Sequence, residues 1–220
     1  MTRKTFLKTL AAGTLGLFFA AGALALAATA SGDRTLGGND AGAAGGDEAG
    51  NRIIVTYFSH SGNTRALAET IAENVGGRLI ELVPAEPYPA EYRKCTERAK
   101  KEIAANARPS LKSAPTPETL AEAEIVFVGS PNWLGTYAPP VATFLDTPEL
   151  AGKTVVPFFT NGGGGFQNCE TDMKKQLGDK ATFLRAFTVN GKNVNSAGTR
   201  REVRAWLNEI GFGKEDEAKD

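Results

Sequence analysis

The sequence predicts an α/β fold: one parallel sheet of five strands between two layers of helices, a three-layer sandwich. Three observations predict it. Five β-rich runs alternate with helical patterns across residues 51–213, which implies parallel strands joined by right-handed crossovers. Three of the runs lack polar alternation, as strands covered on both faces do. The other two carry charge and belong at the edges, which gives the order 2-1-3-4-5.

The elements follow in turn. Ile53-Ile54-Val55-Thr56-Tyr57-Phe58 reads as the first strand. From Arg65 to Val75, Leu67, Ile71 and Val75 recur at helical spacing beside Ala68 and Ala72, and Gly76-Gly77 ends the helix. Arg78–Leu82 is the second strand, at one edge. Residues 83–114 exceed a minimal crossover, and their sequence supplies no chemical reason for the excess. Ile125–Val128 is the third strand, Val155–Phe159 the fourth, and Thr182–Phe187, interrupted by Arg185, the fifth. Pro157 removes one ladder bond from the fourth. Helices are expected over 90–106, 117–123, 139–146, 166–177 and 199–210, the last with a capping box from Thr199 to Glu202.

The ends of the chain differ in character. Residues 1–30 carry Arg3, Lys4 and Lys8 and no acid, and nothing is charged from Thr9 to Gly32. A basic head, an apolar run and the small-x-small pattern Ala28-Thr29-Ala30 read as an export signal, or as a membrane anchor if uncleaved. The head resembles the twin-arginine export motif, with Lys4 in the second Arg position. Export across the cytoplasmic membrane is the expected fate, with any membrane contact confined to this segment. Residues 31–50 are rich in Gly and Ala and poor in large apolar side chains, so they read as a flexible linker. Residues 214–220 form a charged tail.

Composition narrows the function. The chain has 25 Lys+Arg against 25 Asp+Glu, so it lacks the excess positive charge of a nucleic-acid partner. Without Arg3, Lys4 and Lys8, 22 bases face 25 acids, a formal −3. Two Cys and one His provide neither a disulfide framework nor a dedicated metal site. Cys95 and Cys169 fall on separate helices and are not expected to pair.

In a sheet of this order a ligand binds at the carboxyl ends of the central strands. The first loop is Ser59-His60-Ser61-Gly62-Asn63-Thr64. Its hydroxyls and amides at a helix start form a phosphate cradle. One helix cap accounts for one such side chain, not four. The loop has neither a P-loop pattern nor a Rossmann fingerprint. His60 is expected to serve through its backbone, with its ring toward solvent. The second loop, Gly129–Pro140, carries Pro131-Asn132-Trp133-Leu134-Gly135. The third, Thr160-Asn161-Gly162-Gly163-Gly164-Gly165-Phe166, lets backbone approach a ligand.

Tyr57–Thr64 resembles the phosphate loop of flavodoxins, Ser/Thr-x-Ser/Thr-Gly-x-Thr, and the other two segments sit where that family's two isoalloxazine loops belong. The resemblance spans residues 51–212. It implies noncovalent FMN, its phosphate held by Ser59, Ser61, Asn63, Thr64 and the backbone of His60 and Gly62. It implies Trp133 stacked on the flavin, with the backbone of 132–135 and of Asn161, Gly162, Gly163 and Gly164 at the ring edge. The third loop carries only Phe166 as an aromatic, which leaves the outer face of the flavin open. The implied function is electron transfer between protein partners. The alternative is an FMN-dependent NAD(P)H or quinone oxidoreductase of the same fold. A flavin-free binding module would not need the intact first loop.

Overall fold

A computed structural model of the chain describes residues 52–213. The segments expected to be an export signal, a linker and a charged tail lie outside the described residues. The sheet is built from β1 (Ile53–Tyr57), β2 (Arg78–Glu81), β5 (Ile125–Trp133) and β7 (Thr154–Asn161), with β8 (Thr182–Phe183) and β9 (Phe187–Asn190) sharing the far edge. These strands pair in parallel, in the order β2-β1-β5-β7 followed by β8 and β9. That is the expected order, with the fifth strand broken into two pieces.

Two apolar cores sandwich the sheet. On one face, Val55, Phe127, Val156 and Phe158 pack under α1 (Asn63–Val75) and α6 (Ala197–Glu209). Leu67 and Ile71 of α1 are fully buried there, and each contributes roughly 1.5–3 kcal/mol. On the other face, Ile54, Val126, Val128 and Phe159 pack under α2 (Tyr92–Ala104), α3 (Pro117–Glu122), α4 (Pro139–Leu145) and α5 (Cys169–Leu177). Cys95 and Cys169 belong to this second core, buried and free.

The break in the fifth strand accounts for Pro157. Val155 directs its carbonyl toward the far edge, where it accepts from Leu184 N–H at 3.1 Å. Pro157, two residues on, directs its backbone the same way. β8 pairs with Thr154 and Val155, and β9 pairs from Phe158 onward. The missing N–H of Pro157 therefore faces the gap between them, while Pro157 keeps its register with Val128 of β5 on the other side. The ladder loses less than the sequence implied.

The segment after β2 is an insertion with its own structure. β3 (Val83–Pro84) pairs antiparallel with β4 (Leu111–Ser113), and α2 rises between them. Other boundaries shift. The last helix starts at Ala197, capped by Ser196, whose hydroxyl accepts from Thr199 N–H at 3.0 Å. Thr199 is thus the residue that receives the cap; its own hydroxyl donates to Asn193 C=O at 2.8 Å. The helix expected from residue 166 begins at Cys169, because Gly165 and Gln167 adopt positive φ just before it.

Candidate functional site

Loop one joins β1 to α1. The N-cap of α1 is Gly62, at φ 87°, and no side chain caps the helix. That conformation suits glycine. It leaves the first amides of α1 without intrahelical partners, a ready anion cradle. None of Ser59, Ser61, Asn63 and Thr64 is consumed as a cap. The Ser59 hydroxyl is buried without a hydrogen-bond partner, which costs about 1–3 kcal/mol unless a ligand satisfies it. Thr64 is buried, and its hydroxyl meets that of Thr160 at 2.8 Å.

Loop two is mostly strand, contrary to the open loop expected from its Pro and Gly content. β5 continues through Trp133 and turns back at Leu134-Gly135 into β6 (Thr136–Tyr137). Leu134 and Gly135 have φ of 54° and 95°, the signs of a two-residue hairpin turn. Asn132 braces it. Its Oδ1 accepts from Gly135 N–H at 3.0 Å, and its Nδ2 donates to Gly165 C=O at 2.9 Å and Gln167 Oε1 at 3.0 Å. Loops two and three are thereby one unit.

Loop three is held from within. Asn161 Oδ1 accepts from Gly163 N–H at 2.7 Å, and its Nδ2 donates to Thr188 Oγ1 at 2.9 Å and Val189 C=O at 3.2 Å. The side chain of Asn161 thus shapes the loop. Gly163 has φ 127°, which demands glycine.

The three loops converge on a cavity of about 310 Å³. His60, Ser61, Asn63, Pro131, Asn132, Trp133, Leu134, Asn161 and Gly162 line it. Ser59 lies on the other side of loop one, on a smaller cavity of about 160 Å³ that shares His60. Gly62, Thr64, Gly135, Gly163 and Gly164 belong to the same loops but do not line the cavity. Trp133 is half-buried, and its ring meets Phe58, Tyr88 and His60 edge to face at 5.4, 4.9 and 5.9 Å. It both lines the cavity and packs over the sheet end. His60 is exposed, but its ring leans on Trp133 and the residue borders both cavities instead of turning freely into solvent.

One wall escaped the sequence reading. Tyr92, Cys95, Thr96 and Ala99 of α2 also line the cavity. Their i, i+3, i+4, i+7 spacing was readable as one helical face. Its placement over the sheet end was not, because it depends on the β3–β4 insertion.

Charge near loop one is neutralised locally. Arg65 donates to both oxygens of Glu81 at 2.8 and 2.7 Å. That contact, with Tyr57 beside it, raises the Arg65 pKa further. Burial raises the Tyr57 phenol. Burial likewise raises the Cys95 thiol, which stays protonated in the cavity wall. Tyr88 is raised by burial and by its hydrogen bond to the Glu102 carboxylate.

The flavodoxin family profile matches residues 52–210. A candidate flavoprotein from Bacteroides eggerthii is 31% identical, with TM-score 0.63, 72% of this chain covered and 97% of that one. One from Bacteroides uniformis is 28% identical, with TM-score 0.63, covering 72% and 99%. A Lactobacillus acidophilus flavoprotein solved in complex with FMN shares the fold at 22% identity and TM-score 0.56, covering 67% and 98%. The residues present fit FMN, the cofactor this family carries. An orphaned buried hydroxyl and an uncapped helix start suit its phosphate, and the glycine-rich third loop suits a flat ring. The chain belongs to the flavodoxin family.

Proposed function

We propose that this chain is an exported electron carrier that binds FMN noncovalently and exchanges electrons with redox partner proteins. Bound FMN supplies one- and two-electron redox chemistry. The observation that carries the reading is the uncapped start of α1, at a loop whose Ser59 hydroxyl is buried without a partner. Ser59, Ser61, Asn63 and Thr64 would hold the phosphate through neutral donors, with the amides of His60 and Gly62. Pro131–Gly135 and Asn161–Gly164 would border the ring, with Trp133 stacked on it. The backbone of these two loops would orient the ring edge and set its hydrogen bonding.

Ser59→Ala separates phosphate recognition from ring recognition. Titration of flavin fluorescence should show wild type binding FMN more tightly than riboflavin. Ser59→Ala should weaken FMN by about tenfold and leave riboflavin unchanged. A chain that binds no FMN overturns the reading. The loaded protein should oxidise NADH and NADPH no faster than free FMN does; rapid oxidation would favour an oxidoreductase, with a quinone as one candidate acceptor.

The basic head and uncharged run of residues 1–30 support export. Expression of the full chain, followed by fractionation and N-terminal sequencing, tests it. A cytoplasmic product that retains Met1 would refute it.

A further inference from the structure

The inserted segment 83–113 brings α2 over the cavity. Three of the residues it presents there, Cys95, Thr96 and Ala99, are small. The fourth, Tyr92, is the first residue of α2 and 84% exposed. Its ring stands at the lip of the cavity and takes part in no aromatic contact among the described residues. Trp133 and His60, the other rings of the lining, are engaged edge-on with each other, and Trp133 also with Phe58 and Tyr88.

Tyr92 is carried on a braced arm. Arg98 lies 4.2 Å over the Tyr88 ring and donates to Glu102 Oε1 at 2.7 Å, Pro87 C=O at 3.0 Å and Glu86 C=O at 3.3 Å. Tyr88 donates to the second oxygen of Glu102. These contacts lock residues 86–88 to the middle of α2 and fix where the helix starts. The arm is braced along its length, and the large ring at its end is left bare beside the cavity.

We propose that Tyr92 covers the solvent side of the bound flavin ring, so that the insertion supplies the outer wall of the site. This rests on the FMN reading above. An aromatic ring facing another gains from offset or edge contact beyond simple burial. It replaces the expectation, taken from loop three alone, of an open outer face with one that titration can test.

Tyr92→Ala and Tyr92→Phe, made in the full chain, test the proposal by titration with FMN and with riboflavin. Tyr92 is exposed, so both variants should keep the wild-type urea midpoint. Tyr92→Ala should weaken both flavins by the same factor, roughly three- to tenfold, and Tyr92→Phe should restore most of it. Unchanged affinity for both flavins would overturn the proposal while leaving FMN binding intact. So would a loss confined to FMN, which would assign Tyr92 to the phosphate. Failure of wild type to bind either flavin would remove the FMN reading, and this proposal with it.

Discussion

The hydroxyls of Thr64 and Thr160 meet at 2.8 Å, both out of solvent. Thr64 belongs to the first turn of α1, and Thr160 lies next to the end of β7. One bond therefore links the loop that enters α1 to the glycine-rich loop after β7. Thr160→Val should orphan the Thr64 hydroxyl and cost about 1–3 kcal/mol. Thr64→Val with Thr160→Val should recover most of that loss. Urea unfolding of the four proteins as a double-mutant cycle measures the coupling. Additive effects would mean that the bond contributes nothing.

Asn132 ties loop two to loop three through Gly165 and Gln167. Asn132→Asp removes the amide donor and sets a carboxylate against a carbonyl. The expected result is faster amide exchange in 163–168 and a fall in FMN affinity of roughly tenfold. Exchange at wild-type rates would show that the loops hold their shape unaided.

Gly129 lies between β1 and β7 with no room for a side chain. A Cβ there would stand 2.3 Å from the Phe158 ring and 2.8 Å from Tyr57 Cβ. Gly129→Ala should therefore destabilise the fold by about 1–3 kcal/mol through overpacking. A thermal midpoint equal to wild type would contradict the packing at this point.

Stability should decline in base. Burial pushes the Cys169 thiol from 9.0 up to about 12 and the Tyr137 phenol from 10.0 up to about 12. Above pH 9 the unfolded chain releases these protons and the folded one retains them. The unfolded state then binds fewer protons, so stability falls as pH rises. The contribution is complete below pH 9 and disappears as pH climbs toward about 12. Urea midpoints across that range should drop steadily, and less steeply in Tyr137→Phe. A flat profile would dispute the burial of both groups.

Local chemistry made much of this readable. Apolar runs such as Ile125–Val128 located the central strands, and their contrast with the charged runs ordered the sheet. Ser59–Thr64 marked the loop that enters α1, where the structure leaves the helix start without a side-chain cap. What stayed hidden was non-local. Asn132 reaches Gln167 across 35 residues. Tyr92 reaches the cavity only because Val83–Pro84 pairs with Leu111–Ser113. The split of the fifth strand was marked by Arg185, yet its link to Pro157 required the register of β7. Ser196 lost the cap assignment to Thr199 because both are ordinary N-cap residues three positions apart.

That split edge also bears on strand addition by a second chain. An exposed sheet margin invites another strand to add to it. Here the margin offers two residues of β8, a break, and then four of β9. The break holds Arg185, exposed and paired with Glu209 of α6. A neighbouring chain would find neither a continuous ladder nor an uncharged approach. Pro157, inside β7, thus sits opposite the gap in a margin that offers an added strand little to pair with.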